Sequence, residues 1–194
     1  MRAPHMRVKS SLTALALVAL LACGIAACSS SKSSGPSAEG PLSSGLTRTQ
    51  IPRGSDCAPG GEGPFTFGVQ IYTNYGRTKV VLDRVTLLDP HNQRLIGSYA
   101  VPGLNLVGTI PWPPRSTHFF PLPAAWKDRQ AVHGFRLASG KEFNMVLGVA
   151  AIRAGRWSTS QGILVYYRDA AGSYVARNYF ENEIAATKKG CLSG

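Results

Sequence analysis

This sequence predicts an all-β fold, an antiparallel β-sandwich, on three observations. Apolar residues recur with a period of two in several short runs, turn signals built on Gly, Pro and Asn separate those runs, and no stretch sustains a long helical period. Composition agrees. Charged residues make up 16% of the chain, against about 25% in an average protein, while Gly (21) and Pro (13) are frequent. Few charges with many turn formers suit short strands better than charge-laced helices.

The strands begin after residue 57. Phe65, Phe67, Val69 and Ile71 alternate with Thr66, Gly68, Gln70 and Tyr72, which sets one face toward a core. Asn74-Tyr75-Gly76 marks a turn, and residues 78–88 form a β-branched, aliphatic strand with a bend near Asp83-Arg84. Asp89-Pro90-His91-Asn92 is a second turn, followed by a strand over 95–101 that Pro102-Gly103 ends and that 104–110 could continue. Pro111, Pro113, Pro114, Pro121 and Pro123 remove backbone donors, so 111–123 reads as a loop or edge. Residues 126–132 read as a helical turn or short strand. Three further strands follow at 142–152, 162–168 and 173–180. That makes about seven or eight strands in about 140 residues, one domain by size. A small open β-barrel is the alternative topology.

The first residues read differently. Arg2, Arg7 and Lys9 form a positive segment, residues 12–22 an apolar run, and Ile25-Ala26-Ala27-Cys28 a small-residue cleavage site, which is the anatomy of a signal peptide. The apolar run falls short of the about 20 residues a membrane span needs. The sequence Ile25-Ala26-Ala27-Cys28 resembles the lipobox of bacterial lipoproteins: an aliphatic residue, two small residues and a cysteine. The resemblance covers about thirty residues. It implies a helical leader over 1–27, diacylglycerol on the Cys28 thiol, cleavage just before it, and anchoring at the outer face of the cytoplasmic membrane. Leu20-Leu21-Ala22-Cys23 competes, with bulky Leu21 where the family has a small residue. Residues 28–56, rich in Ser, Gly and Pro, read as a disordered tether, and 57–194 as the sandwich.

Cys57 and Cys191 remain near the two ends of the sandwich. In an oxidising, exported setting a disulfide is their natural reading, closing a loop of about 135 residues worth roughly 4–5 kcal/mol on the chain-entropy model. Two buried thiols or an intermolecular bridge are the alternatives. In strand count and spacing, residues 60–190 resemble the immunoglobulin-like domains of many bacterial surface lipoproteins. The departure is that these cysteines flank the strands, whereas antibody-type domains join two inner strands across a Trp.

Charge bounds the partners. The formal net charge is +11, and removing Arg2, Arg7 and Lys9 from 21 basic residues leaves 18 against 10 acids, about +8. Such a surface attracts anionic head groups or wall polymers, or simply keeps the protein soluble. Apart from Lys188-Lys189, the basic residues are scattered, without the stripe or arm that nucleic acid requires, so no nucleic-acid partner is expected.

Catalytic motifs are absent: there is no nucleophile elbow, zinc helix or phosphate loop. Ser29-Ser30-Ser31-Lys32 matches a Ser-x-x-Lys element only formally, within the tether. Gly60-Gly61-Glu62-Gly63 has glycine-rich composition without the helix a phosphate site needs. His118, His133 and Asp128 would have to converge from afar to hold a metal, so neither metal nor cofactor is expected. Glu181 and Glu183, two apart on a strand, share a face that reads as solvated, with Arg177 a possible neighbour. The aromatics are more suggestive. Trp112, Trp126 and Trp157, with Tyr75, fall in or beside loops, where they either stack on a ligand or cap the core. The expectation is a membrane-anchored, non-enzymatic binding or accessory module meeting an anionic wall polymer, a lipid or an envelope protein. An envelope hydrolase with a dispersed site and a structural assembly subunit are the alternatives.

Overall fold

A computed structural model describes residues 40–44, 55–60, 63–115 and 126–192. Within them the chain runs through β1 (Leu42–Ser43), β2 (Ser55–Ala58), β3 (Phe65–Asn74), β4 (Val80–Leu88), β5 (Gln93–Pro102), β6 (Gly108–Pro111) and β7 (Gln130–Ala131). It continues through β8 (Arg136–Leu137), β9 (Glu142–Ala151), β10 (Ser158–Ser160), β11 (Gly162–Arg168), β12 (Ser173–Asn178) and β13 (Glu181–Ile184), then a 3-10 turn at Gly190–Leu192. The protein is all-β, as its composition and turns predict.

The strands form three sheets. The six-stranded sheet has the order β1-β3-β9-β5-β7, with β6 also on β3; the four-stranded sheet is β12-β11-β4-β8, and the three-stranded one β10-β13-β2. The pairing is antiparallel except between β13 and β2, which run parallel, so the all-antiparallel expectation fails at that one ladder. Side chains from the six-stranded and four-stranded sheets share one core in a sandwich-like arrangement. Phe67, Phe143, Met145 and Leu147 come from the first, and Leu82, Ile163, Val165 and Tyr167 from the second.

Local irregularities decide which residues face that core. In β3, Phe67 pairs with Leu147 but Gln70 with Met145, so β3 carries one extra residue there. Such a bulge flips every side chain beyond it. Tyr72 and Gln70 are therefore fully buried, while Val69 and Ile71, expected in the core from strict alternation, are half-buried. In β4 the expected bend is real: Tyr166 pairs with Arg84 and Tyr167 with Leu82, which leaves Asp83 as the extra residue. β5 bulges at Ile96, between Leu95 and Gly97.

Three expectations change. Residues 104–110 do not prolong β5. The chain reverses at Gly103, whose φ of 82° favours glycine, and β6 joins the far edge of β3, its approach fixed by the Val107 N–H bonding to Gly68 O at 2.7 Å. The span read as a tether also contributes structure. Leu42 is buried, its N–H donates to the Tyr167 hydroxyl at 3.1 Å, and β2 begins at Ser55. Third, β10 and β13 were not expected as strands of a separate sheet; buried amides dock that sheet on the larger one. Gln70 Nε2 donates to Asn182 Oδ1 (3.2 Å), and Gln93 Nε2 to the carbonyls of Asn182 (2.8 Å) and Ser158 (3.2 Å). Each bond contributes about 1 kcal/mol, and leaving a buried partner unpaired costs more. Cys57 on β2 and Cys191 in the 3-10 turn form the expected disulfide, with Cα atoms 5.7 Å apart across a sequence separation of 134.

Candidate functional site

The outer face of the six-stranded sheet, opposite the shared core, holds two places where small residues leave room. The first lies where Gly97 of β5 pairs with Gly148 of β9. The Trp112 indole lies on this glycine pair: a Cβ on Gly148 would stand 2.5 Å from its Cδ2, and one on Gly97 2.6 Å from its Cζ2. Trp112 stacks on Tyr99 at 5.8 Å, and Trp126 meets both edge-on, at 5.4 Å from Tyr99 and 6.4 Å from Trp112. Val101, Val107 and Val146 are buried beneath, with Ile110 packed alongside. Arg129 caps the group, its guanidinium 4.7 Å from the Trp126 ring and its Nη1 bonded to Trp126 O at 2.8 Å. Trp112 and Trp126 thus come together, but the geometry is that of a second, small core.

Trp157 stands apart from them. It is 42% exposed in the turn between β9 and β10 and lies against the Cys191 end, where a Cβ on Gly190 would be 3.4 Å from its ring. The same turn carries Arg153 and Arg156. Asn92, at φ 53°, fixes it: its Oδ1 accepts the Arg153 N–H at 2.8 Å, its Nδ2 donates to Arg153 O at 3.1 Å, and its carbonyl takes the Ile152 N–H at 2.9 Å.

Beside this turn is the second place, a cleft of about 200 Å³. Arg94, which pairs with Ala150, and Arg156 both line it, and the rest of the lining is small or aliphatic: Gly63, Pro64, Ala150, Ala151, Ala154, Gly155, Ile184 and Ala185. Both arginines are exposed, and neither has a carboxylate partner among the described residues, where the one ion pair is Arg168 with Asp83. Sequence reading missed Arg94 and Arg156, as it did Tyr99 and Arg129, because they lie far apart along the chain and carry no motif spacing. The signal available was the small-residue run Gly148-Val149-Ala150-Ala151 on a strand flanked by arginines.

The titratable groups elsewhere do not converge. Glu181 and Glu183 share one side of β13, half-buried and not the solvated face expected, while Asn182 and Ile184 are buried. Partial burial, and then the neighbouring Glu181 charge, push the Glu183 carboxyl above its ordinary range, with a Ser55 hydrogen bond opposing. Burial pushes the Tyr167 phenol up to about 12, against the opposing bond from Leu42, and lifts Tyr72 further still. His133 Nδ1 sits 3.0 Å from Asp83 O, Asp128 is exposed, and no group of His, Cys, Asp or Glu among the described residues is arranged to hold a metal. Cys28, Cys23, Ser29–Lys32 and His118 lie outside the described residues. No helix in those residues is long and apolar enough to cross a membrane.

No family model matches the chain, and none of the curated proteins matches it. Among solved structures it is similar to the VesB protease of Vibrio cholerae, at 12% identity and a TM-score of 0.35, over 68% of this chain. The chain spans 30% of that protein's length, and a likeness at this level assigns neither an activity nor a fold family.

Proposed function

We propose that this chain is a lipid-anchored, extracytoplasmic binding module without catalytic activity, built on an immunoglobulin-like variant of the sandwich. It is held at the outer face of the cytoplasmic membrane by acyl chains on Cys28 and presents its basic surface to an anionic component of the envelope. Two acyl chains on one cysteine hold a bilayer stably where one does not. The observation that carries the binding role is the concentration, at one end of the six-stranded sheet, of cations without a carboxylate partner among the described residues. Arg94, Arg153 and Arg156 are all exposed there, beside the exposed Ile152 and Trp157. Cations left without carboxylates keep their full attraction for an anion from outside.

Two measurements test it. Intact-mass analysis of the membrane-extracted protein is expected to show a chain beginning at an acylated Cys28; an uncut, unacylated product recovered from the cytosol overturns the anchor. Cosedimentation with anionic wall polymer is expected to fall steeply between low and physiological salt, as exposed charge attraction does. Equal retention of a variant with Arg94, Arg153 and Arg156 all changed to Gln overturns the binding role.

A further inference from the structure

We propose that the cleft between Arg94 and Arg156 binds a phosphate group carried on a small polyol, of which glycerol phosphate is the simplest representative. The reading of the chain as an envelope module supplies only the setting; the chemistry rests on the cleft itself. Its volume, about 200 Å³, lies below the range of about 300–1,000 Å³ typical of sites for drug-sized ligands, which suits one small unit. Gly63, Ala150, Ala154 and Gly155 line it with hydrogens and methyl groups, so the walls accept the carbon backbone of a small phosphate ester, whose hydroxyls keep their hydrogen bonds on the open side, and offer it no charge.

The two guanidinium groups select the anion. A guanidinium presents a rigid fork of donors, and a carboxylate is matched by one such fork. A phosphate offers more acceptor oxygens and up to two negative charges, so a cleft lined by two such forks suits it better. Two cations lining one small space repel each other, and a bound phosphate relieves that repulsion. The Arg156 side is held in advance: Asn92 fixes the 152–157 turn through both its amide and its carbonyl. A site ordered before binding loses less entropy when occupied.

The test titrates the full chain, purified in a zwitterionic detergent, with glycerol phosphate, inorganic phosphate, acetate and glycerol by isothermal calorimetry. Saturable one-site binding is expected for glycerol phosphate, weaker binding for inorganic phosphate, and binding at least about tenfold weaker for acetate and glycerol. Arg94→Gln and Arg156→Gln should each weaken glycerol phosphate about tenfold, while Arg77→Gln, exposed in the turn between β3 and β4 and outside the cleft lining, changes it less than about twofold. Ala154→Leu keeps both cations and fills the space, and it is expected to abolish binding. Unchanged thermal midpoints for all four variants show that folding is not what is read. Absence of saturable phosphate binding, an equal loss from Arg77→Gln, acetate binding as tightly as phosphate, or indifference to Ala154→Leu each overturns the proposal.

A parallel titration into lipid nanodiscs with and without phosphatidylglycerol identifies the source. Tightening that depends on both arginines assigns the site to a lipid head group, and its absence, with glycerol phosphate still binding, assigns it to a soluble or polymeric phosphate. Phosphate binding without retention on envelope polymer would overturn the module reading and leave the cleft standing. Retention that survives loss of both arginines, with no phosphate binding, would do the reverse.

Discussion

Two neighbouring patches on the outer face of β5 and β9 meet opposite fates. Where Gly97 faces Gly148, the missing side chains make a trough that the chain fills with its own Trp112, sealed by Tyr99, Trp126 and Arg129. Two residues further along β9, where Arg94 pairs with Ala150, the depression stays open, with two cations in its lining. Small residues on a strand create room without saying for whom. The deciding factor is the segment that passes next. A tryptophan among prolines returns over the first patch, whereas a short, pinned turn stands beside the second and leaves it accessible. The first patch therefore belongs to stability, and the second is the one proposed to bind.

That division is breakable, most strongly at the disulfide. The far wall of the cleft, Ile184 and Ala185, hangs at the end of β13, which pairs with β2 and its Cys57. Replacing Cys57 and Cys191 with Ser is expected to lower stability by about 4 kcal/mol in urea unfolding, given the length of the closed loop. Amide exchange should rise in β2 and β13 before β5 and β9; simultaneous loss at both patches would erase the distinction. Next in size, Trp112→Ala should cost about 3 kcal/mol with little effect on anion binding. Gly148→Ala should cost about 1–3 kcal/mol alone, through overpacking against the indole, and nearly nothing once Trp112 is Ala. A double-mutant cycle reads this coupling directly; additive effects would mean that the indole does not rest on the glycines. Arg129→Ala removes a cap worth at most about 1 kcal/mol.

The smallest effect concerns charge segregation. Across β13 from the cleft, Glu181 and Glu183 lack cation partners among the described residues, just as Arg94 and Arg156 lack carboxylates. Because the Glu183 pKa is raised in the folded state, folding holds that proton more tightly than the unfolded chain does. Stability therefore falls as pH rises from the ordinary carboxylate range through the raised value. Glu183→Gln is expected to flatten this fall and to be slightly more stable at neutral pH, with no gain below pH of about 4, as thermal midpoints across pH would show.

Much of this fold was legible because period-two patterns and turn residues act locally. The strand over 162–168 and the turns at 74–76 and 89–92 follow from their own residues. The β3 bulge was not legible: strict alternation puts Val69 and Ile71 inside, and only pairing with β9 reveals the extra residue that turns Tyr72 inward. The short strands β1, β2 and β10, and the separate sheet that β13 joins, escaped for a related reason. Each is held by distant partners, such as Tyr167 for Leu42 and Gln70 for Asn182, and not by its own composition. The Cys57–Cys191 bond was anticipated from two cysteines flanking the strands of a chain read as exported. Of the three tryptophans singled out, the sequence could not sort filler from surface, since that depends on two glycines opposite each other in different strands. The cleft was hidden because scattered single charges become neighbours only through the sheet.

The Cys57–Cys191 bond has a consequence for survival against proteases. It converts everything between those residues into a covalent ring, within which a single peptide bond can be cut without releasing a fragment. The exposed tip at Ala170-Ala171, between β11 and β12, is the kind of site where such nicks fall. A molecule nicked there keeps both halves tied, gains the mass of one water, and comes apart only when a reductant is added.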